Sequence, residues 1–385
     1  MYPCIRIKGT IIMKPSKDQE ASLLEKTARE FARKTLLPDI HETDRFPHGP
    51  FFDDALKIAF ESEFFHVILP EALNGMGRNL KPLCILLQNI SESDASMGAI
   101  ILANAAAQEL MLSAGAENLL AGTISPDMAA LDFLIAFPLF SHPDEKMLRV
   151  TAKPHNGSYQ LTGTAECMIL GSMAGRFLLP AYTSKGYSYF LVDSKADGAT
   201  VSEPIKNLGL HACPAVDLTL SNADGILIGR EDEGALLFSK MLGKMMIAAA
   251  SVSFGIMRSS YKDAFQYASK RLQGGRKIIE WSELSAMVGQ MAMKTRIADM
   301  LLQTAIADAD NGNLGWAEQG YAAASQILTD SCTVSTLGVQ VFGGYGYMRD
   351  YLQEKRFRDS RHLQAVFGTP AKRPIHFLKQ FNKIN

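Results

Sequence analysis

Residues 340–369 read QVFGGYGYMRDYLQEKRFRDSRHLQAVFGT. They begin where a long apolar helical pattern, roughly 316–342, runs out and Gly343, Gly344 and Gly346 break its periodicity. Glycines at a helix end allow positive φ and let a second backbone or a ligand come close. A charge-dense turn is expected next, with Glu354, Arg356, Arg358, Asp359 and Arg361. A GGxG on its own is more often a helix stop before a salt-bridged surface loop than a ligand site.

Working outward, the chain from Glu233 onward is patterned as helices over 235–272, 281–311, 316–342 and 370–382. Thr369-Pro370 supplies an N-cap and first-turn pair for the last. Helices of this length with short connections predict a four-helix bundle over 231–385. Upstream, over 128–230, seven short apolar or alternating runs (FLIAF, MLRVTAK, SYQLTG, RFLLPAY, SYFLVD, DLTLS, GILIG) are separated by Asn, Gly, Asp, Ser and Pro. That is a strand-and-turn signature and predicts an antiparallel β sandwich or barrel. Residues 13–127 read as an all-α domain. Its helices are expected over 16–36, capped by Ser16 with Gln19, over 52–64, from Pro82, and from Asp94 to Leu112. The fold class is therefore α+β and multidomain.

At 385 residues the chain is too long for one typical core. A net charge of −1 argues against nucleic acid or an anionic membrane as the main partner. The five cysteines (Cys4, Cys84, Cys167, Cys213, Cys332) form no CxxC pair, so neither a zinc site nor a disulfide framework is indicated. Reduced thiols, no signal-peptide core and no apolar run of membrane-spanning length give a cytoplasmic expectation. Metal spacings, HExxH, GxSxG and Walker-type loops are missing from the sequence.

The opening stretch also resembles the C-terminal signature of the acyl-CoA dehydrogenase family, QxFGGxGY…ExxxRDxR…(E)GT. Gln340, Phe342, Gly343, Gly344, Gly346, Tyr347, Glu354, Arg358, Asp359, Arg361, Gly368 and Thr369 match without a gap. Asp94-Ala95-Ser96 before a small apolar helix is similar to the same family. The α–β–α order agrees along nearly the whole chain. The resemblance implies an oxidoreductase acting on the CH–CH group of an acyl-CoA thioester. It also implies tetrameric assembly, FAD lying between the β domain of one subunit and the bundle of its neighbour, and electron-transfer flavoprotein as a possible partner.

Compared residue by residue, the bundle half of the implied FAD site is largely kept. Arg271-Leu272-Gln273-Gly274-Gly275 resembles RxxFG, whose arginine meets the pyrophosphate, and a guanidinium suits phosphate because its donors form a planar fork. Gln273, Gln340, Gly343, Gly344 and Thr369 complete the implied cofactor-binding set. The β half is eroded. The TEPxAGSD loop falls on Phe137–Asp144 and WITNG on Cys167–Gly171, so hydroxyls that reach the flavin become Phe137 and Ile169. The pyrophosphate serine becomes Pro143 and the covering tryptophan Cys167. Each lost hydrogen bond costs about 1–3 kcal/mol, which predicts much weaker flavin binding by a homomer.

The implied chemistry removes an α-proton with a carboxylate as hydride leaves the β-carbon. The glutamate before Gly-Thr is here Phe367, which cannot take a proton. The family's other base position, on the first bundle helix, is Lys244, with Met245 beside it. A buried lysine of lowered pKa can act as a base, though an amphipathic-helix lysine with a snorkelling ammonium is the commoner case. Glu166, Asp144 and His142 read as surface groups, Asp94 as a helix cap, Tyr345 and Tyr347 as packing residues, and the methionines as core filler. Two functions follow: an FAD-dependent acyl-CoA dehydrogenase with a non-standard base, or a companion subunit in a mixed tetramer with a paralogue. A redox-silent lyase on the same scaffold is a third.

Overall fold

The computed structural model describes residues 4–7, 10–13, 17–47, 49–122, 131–143 and 148–381. Ser16 and Asp144 lie outside the described residues.

Three layers follow one another along the chain. Labelling the longer helices only, the first layer holds α1 (Lys17–Phe31), α2 (Asp53–Glu61), α3 (Leu80–Ser91) and α4 (Ala95–Ser113). α1 runs on into a π-turn over Ala32–Leu36. Asp94 caps α4 by accepting from the Ser96 N–H at 2.7 Å, as read from the sequence.

The middle layer contains strands β1 (Ile135–Ala136), β2 (Val150–His155), β3 (Ser158–Ile169), β4 (Arg176–Tyr182), β5 (Tyr187–Asp193), β6 (Ala199–Val201) and β7 (Ala215–Ile228). β4 pairs with β2, β2 with β3, β3 with β7, β7 with β5, and β5 with β4 again, so the sheet closes into a barrel. Closure removes free strand edges. The barrel is not purely antiparallel: β1–β4 and β2–β4 pair in parallel.

DLTLS and GILIG, expected as two strands, are one. In β7, Asn222 stands at a register shift opposite Leu161/Thr162 with φ 55°, and the strand continues through it. The Asn-Ala-Asp-Gly composition marks a bulge rather than a turn. β6, an unexpected strand, pairs with β7.

The last layer is built on α5 (Gly234–Lys270), α6 (Ser282–Asn311) and α7 (Trp316–Phe342), followed by α8 (Gln353–Leu363) and α9 (Arg373–Phe381). The expected charge-dense turn is in fact α8. Its charges form internal pairs: Lys355 and Asp359 are 2.7 Å apart and both buried. α5 crosses α3 so closely that a Cβ at Gly255 would sit 2.6 Å from the Gln88 carbonyl oxygen.

α4 and α5 are long and apolar enough, by length and composition, to cross a membrane, which counting uninterrupted apolar runs missed. Their apolar windows are 100% and 72% buried inside the protein, which makes them core helices.

Candidate functional site

At the C-terminal ends of α5 and α7 the chain forms a groove of about 740 Å³. It is lined by Arg271, Gln273, Gln340, Gly343 and Gly344 together, although 66 or more residues separate the first two from the last three in sequence. Arg271 ends α5 with extended backbone (ψ 123°) and its guanidinium lies 5.6 Å from the Tyr345 ring centroid. A tight hairpin follows, pairing Leu272 with Lys277 and Gln273 with Arg276. Trp281, which sequence reading passed over, closes the hairpin. Its Nε1 donates to the Gln273 carbonyl at 3.4 Å, and the Arg276 guanidinium stacks 3.6 Å from its ring. Gly343 ends α7 at φ 59°, ψ −131°, backbone that favours glycine. A Cβ on Gly343 or Gly344 would meet nothing within 4 Å, so the two residues leave a cradle that side chains would otherwise fill.

Thr369 is not in this groove. It lines a second cavity of about 390 Å³ between the barrel and α9. The turn that leads to it carries Phe367 at φ 53°, unusual for a bulky residue. The Phe367 N–H donates to the Leu139 carbonyl at 2.8 Å, and its ring is buried against Phe238 with centroids 6.4 Å apart. Position 367 is thus an apolar plug sewn to the barrel.

On the barrel side, Phe137 and Ile169 exchange backbone hydrogen bonds of 3.2 and 3.1 Å. Both side chains are 1% exposed, and the Phe137 ring lies parallel to that of Tyr189. Cys167 sits at a bulge with φ 54°, its N–H donating to Asp217 Oδ1 at 3.0 Å, and burial pushes its thiol pKa up.

Lys244 does not face a cavity as a lone amine. Its Nζ lies 3.0 Å from Glu109 Oε1 on α4, and Arg78 Nη2 reaches the same oxygen at 3.0 Å. Glu166 is a surface charge, as read, paired with Arg149 at 2.6 Å. His142, read as a surface residue, is instead half-buried against His376 and Phe238. Tyr345 packs on Tyr267 and Tyr351, but Tyr347 is 78% exposed and packs on little. Met245, Met246 and Met291 are core; Met293 is exposed. Among the described residues no cluster of His, Cys, Asp and Glu is arranged to hold a metal.

Two family profiles match the chain: Acyl-CoA dehydrogenase, N-terminal domain, over residues 18–129, and Acyl-CoA dehydrogenase, C-terminal domain, over 232–371. An acyl-CoA dehydrogenase of Bacillus subtilis is 30% identical over 367 residues, covering 91% of this chain and 95% of the relative. The chain belongs to the acyl-CoA dehydrogenase family. Another relative is the cyclohexane-1-carbonyl-CoA dehydrogenase of Geobacter metallireducens, 27% identical over 91% of this chain and 94% of its own length. Among solved structures, butyryl-CoA dehydrogenase of Megasphaera elsdenii superposes with a TM-score of 0.86 at 20% identity, covering 96% of this chain and 100% of that one. Helical layer, barrel and helical layer are the acyl-CoA dehydrogenase fold, and the family's activity is flavin-dependent oxidoreduction of acyl-CoA at the CH–CH group.

The family cofactor is FAD. The groove fits its nucleotide end: the Arg271 fork suits pyrophosphate, and Gly343 and Gly344 leave open space for a close ligand. The barrel side does not fit the ring end in the same way. Phe137 and Ile169 offer no hydroxyl, and their amides are consumed by each other.

Proposed function

We propose that this chain is a subunit of an FAD-dependent acyl-CoA oxidoreductase and that its bundle groove lends the nucleotide-binding half of a flavin site across a subunit boundary. Arg271 would meet pyrophosphate, while Gln273, Gln340, Gly343 and Gly344 would hold the adenosine end and Thr369 would approach from the barrel side. The observation that carries this reading is the convergence of the first five on one open groove, against a plugged position 367. An acyl-CoA is the substrate, a tetramer the expected assembly, the cytoplasm the expected compartment and electron-transfer flavoprotein the possible acceptor. Flavin supplies hydride acceptance when bound. This chain's own contribution is to bind, orient and exclude water. An absorbance spectrum of the purified protein with and without FAD tests it: a flavin spectrum that bleaches anaerobically with an acyl-CoA is expected. Absence of any flavin binding, alone or with a related chain, ends the reading.

The apolar Phe137–Ile169 face favours a second reading, in which a paralogue brings the ring half and the base. A colourless homomer that acquires flavin only when co-purified with such a paralogue would select it. A yellow homomer of full stoichiometry would exclude it.

A further inference from the structure

Phe367 removes the carboxylate that takes the α-proton, and Lys244 is engaged by Glu109. Two imidazoles stand next to the turn that Phe367 now plugs. The His142 and His376 rings lie 4.0 Å apart at an interplanar angle of 33°. Both border Gly368, the residue after Phe367. A Cβ there would sit 3.1 Å from His142 Cβ and 3.9 Å from His376 Cε1, and Gly368 has φ 121°. A Cβ here would press on His142, and the backbone conformation favours glycine.

The two rings line the 390 Å³ cavity between barrel and α9. Pro138, Phe140 and Ile375 give it an apolar wall, and Lys372 and Lys379 give it cations. Among the described residues its other charged lining groups, Arg149 and Glu166, pair with each other at 2.6 Å. An apolar wall, two lysines and a pair of imidazoles match an acyl thioester carrying a phosphorylated tail.

We propose that this cavity binds the thioester end of an acyl-CoA and that the His142–His376 pair moves its α-proton, in place of the missing carboxylate. The α-C–H bond breaks, a ring N–H bond forms, and the electron pair stays as the thioester enolate. Return of a solvent-derived proton to the α-carbon closes the cycle, so no oxidant is consumed. The idea rests on the acyl-CoA reading above, but its chemistry can be followed without flavin.

The test uses butanoyl-CoA in D₂O with the full-length protein as purified. Equilibrium dialysis reads binding, and NMR reads deuterium entering the α-position. Wild type is expected to bind and to exchange. His142→Asn and His376→Asn should keep binding and lose exchange by about 10²–10⁴-fold, the usual worth of a positioned acid–base group. Circular dichroism confirms that each variant folds. Added imidazole should restore part of the loss in His142→Ala, which a purely packing role for His142 would not give. Exchange at the wild-type rate in both Asn variants overturns the histidine assignment and leaves the acyl-CoA reading standing. Binding without exchange in wild type overturns it as well. No binding by wild type overturns both.

Discussion

Glu109 is a carboxylate with a side-chain exposure of 3%, and it survives there because cations meet it from two helical layers. Lys244 comes from α5 and Arg78 from the connector before α3, each at 3.0 Å from Oε1. Ser113 Oγ adds a longer hydrogen bond at 3.5 Å. Removing one partner from a buried pair leaves charge without compensation, which is costly. Arg78 remains in Lys244→Ala, so a loss of about 1–3 kcal/mol is expected. It should be read as a fall in denaturation midpoint, with acyl-CoA turnover per folded molecule unchanged. In Lys244→Ala/Glu109→Gln the cost should be smaller than the sum of the singles, the mark of a coupled pair. Turnover that collapses in Lys244→Ala at unchanged stability would instead restore the lysine as a base. Lys244 was visible in the sequence as a cation at a base position. Its partner was not, because nothing in a helical pattern announces that a glutamate of α4 will lie under it.

At the scale of elements, α3 is held from far away. The Leu80 and Lys81 N–H groups donate to the Asp310 carboxylate at 2.5 and 3.0 Å, so a residue near the end of α6 caps a helix in the first layer. Cap and dipole act together there. Asp310→Ala should cost about 1 kcal/mol of stability and loosen the first turn of α3. Amide hydrogen exchange at Leu80 and Lys81 should rise while that of the α5 core stays unchanged. Equal protection in both proteins would mean that the cap carries no weight. The long helices were legible because apolar residues recur at helical spacing over many turns, and the glycines marked where α7 ends. α8 was not, since a segment with Glu354, Lys355, Arg356, Arg358, Asp359 and Arg361 has no apolar face to read. Its buried face is made instead of the Lys355–Asp359 pair together with Gln353, Ser360 and Leu363. The groove residues were legible from a motif; the histidine pair was not, because His142 and His376 come from different layers and belong to no recurring spacing.

Across the whole molecule, the three layers meet at one network of charges. Asp44 from the first layer pairs with Arg358 of α8 at 2.5 Å and with His211 of the barrel layer at 3.2 Å. Arg358 also holds Glu354 at 2.6 Å. Lys355 bridges Asp94 at 3.1 Å and Asp359 at 2.7 Å, and Asp359 in turn accepts from the Leu210 N–H at 2.7 Å. The groups around His211 are Asp44, Arg358 and His362, with Phe46 against its ring. Its Nδ1 donates to the Asp44 carbonyl at 2.8 Å. The hydrogen bond to Asp44 raises the His211 pKa against the opposing effect of burial. Burial pushes Asp44 up, but the bond from His211 and the charges of Lys355 and Arg358 outweigh it and hold its carboxyl well below the usual range. The signs then follow by linkage. A raised histidine stabilises fully below its unfolded value, about 6.5, and that contribution is lost as pH rises through the folded value. A lowered aspartate stabilises above its unfolded value, about 3.9, and loses that only as pH falls toward its folded one. The pair is therefore worth most between about pH 4 and 6.5 and declines on the alkaline side. Thermal denaturation followed from pH 6 to pH 9 should show wild type losing stability relative to His211→Gln, which keeps a donor but cannot titrate. Parallel curves for the two proteins would show that the interlayer contact is held by Arg358 and Asp44 alone and that His211 only fills space between them.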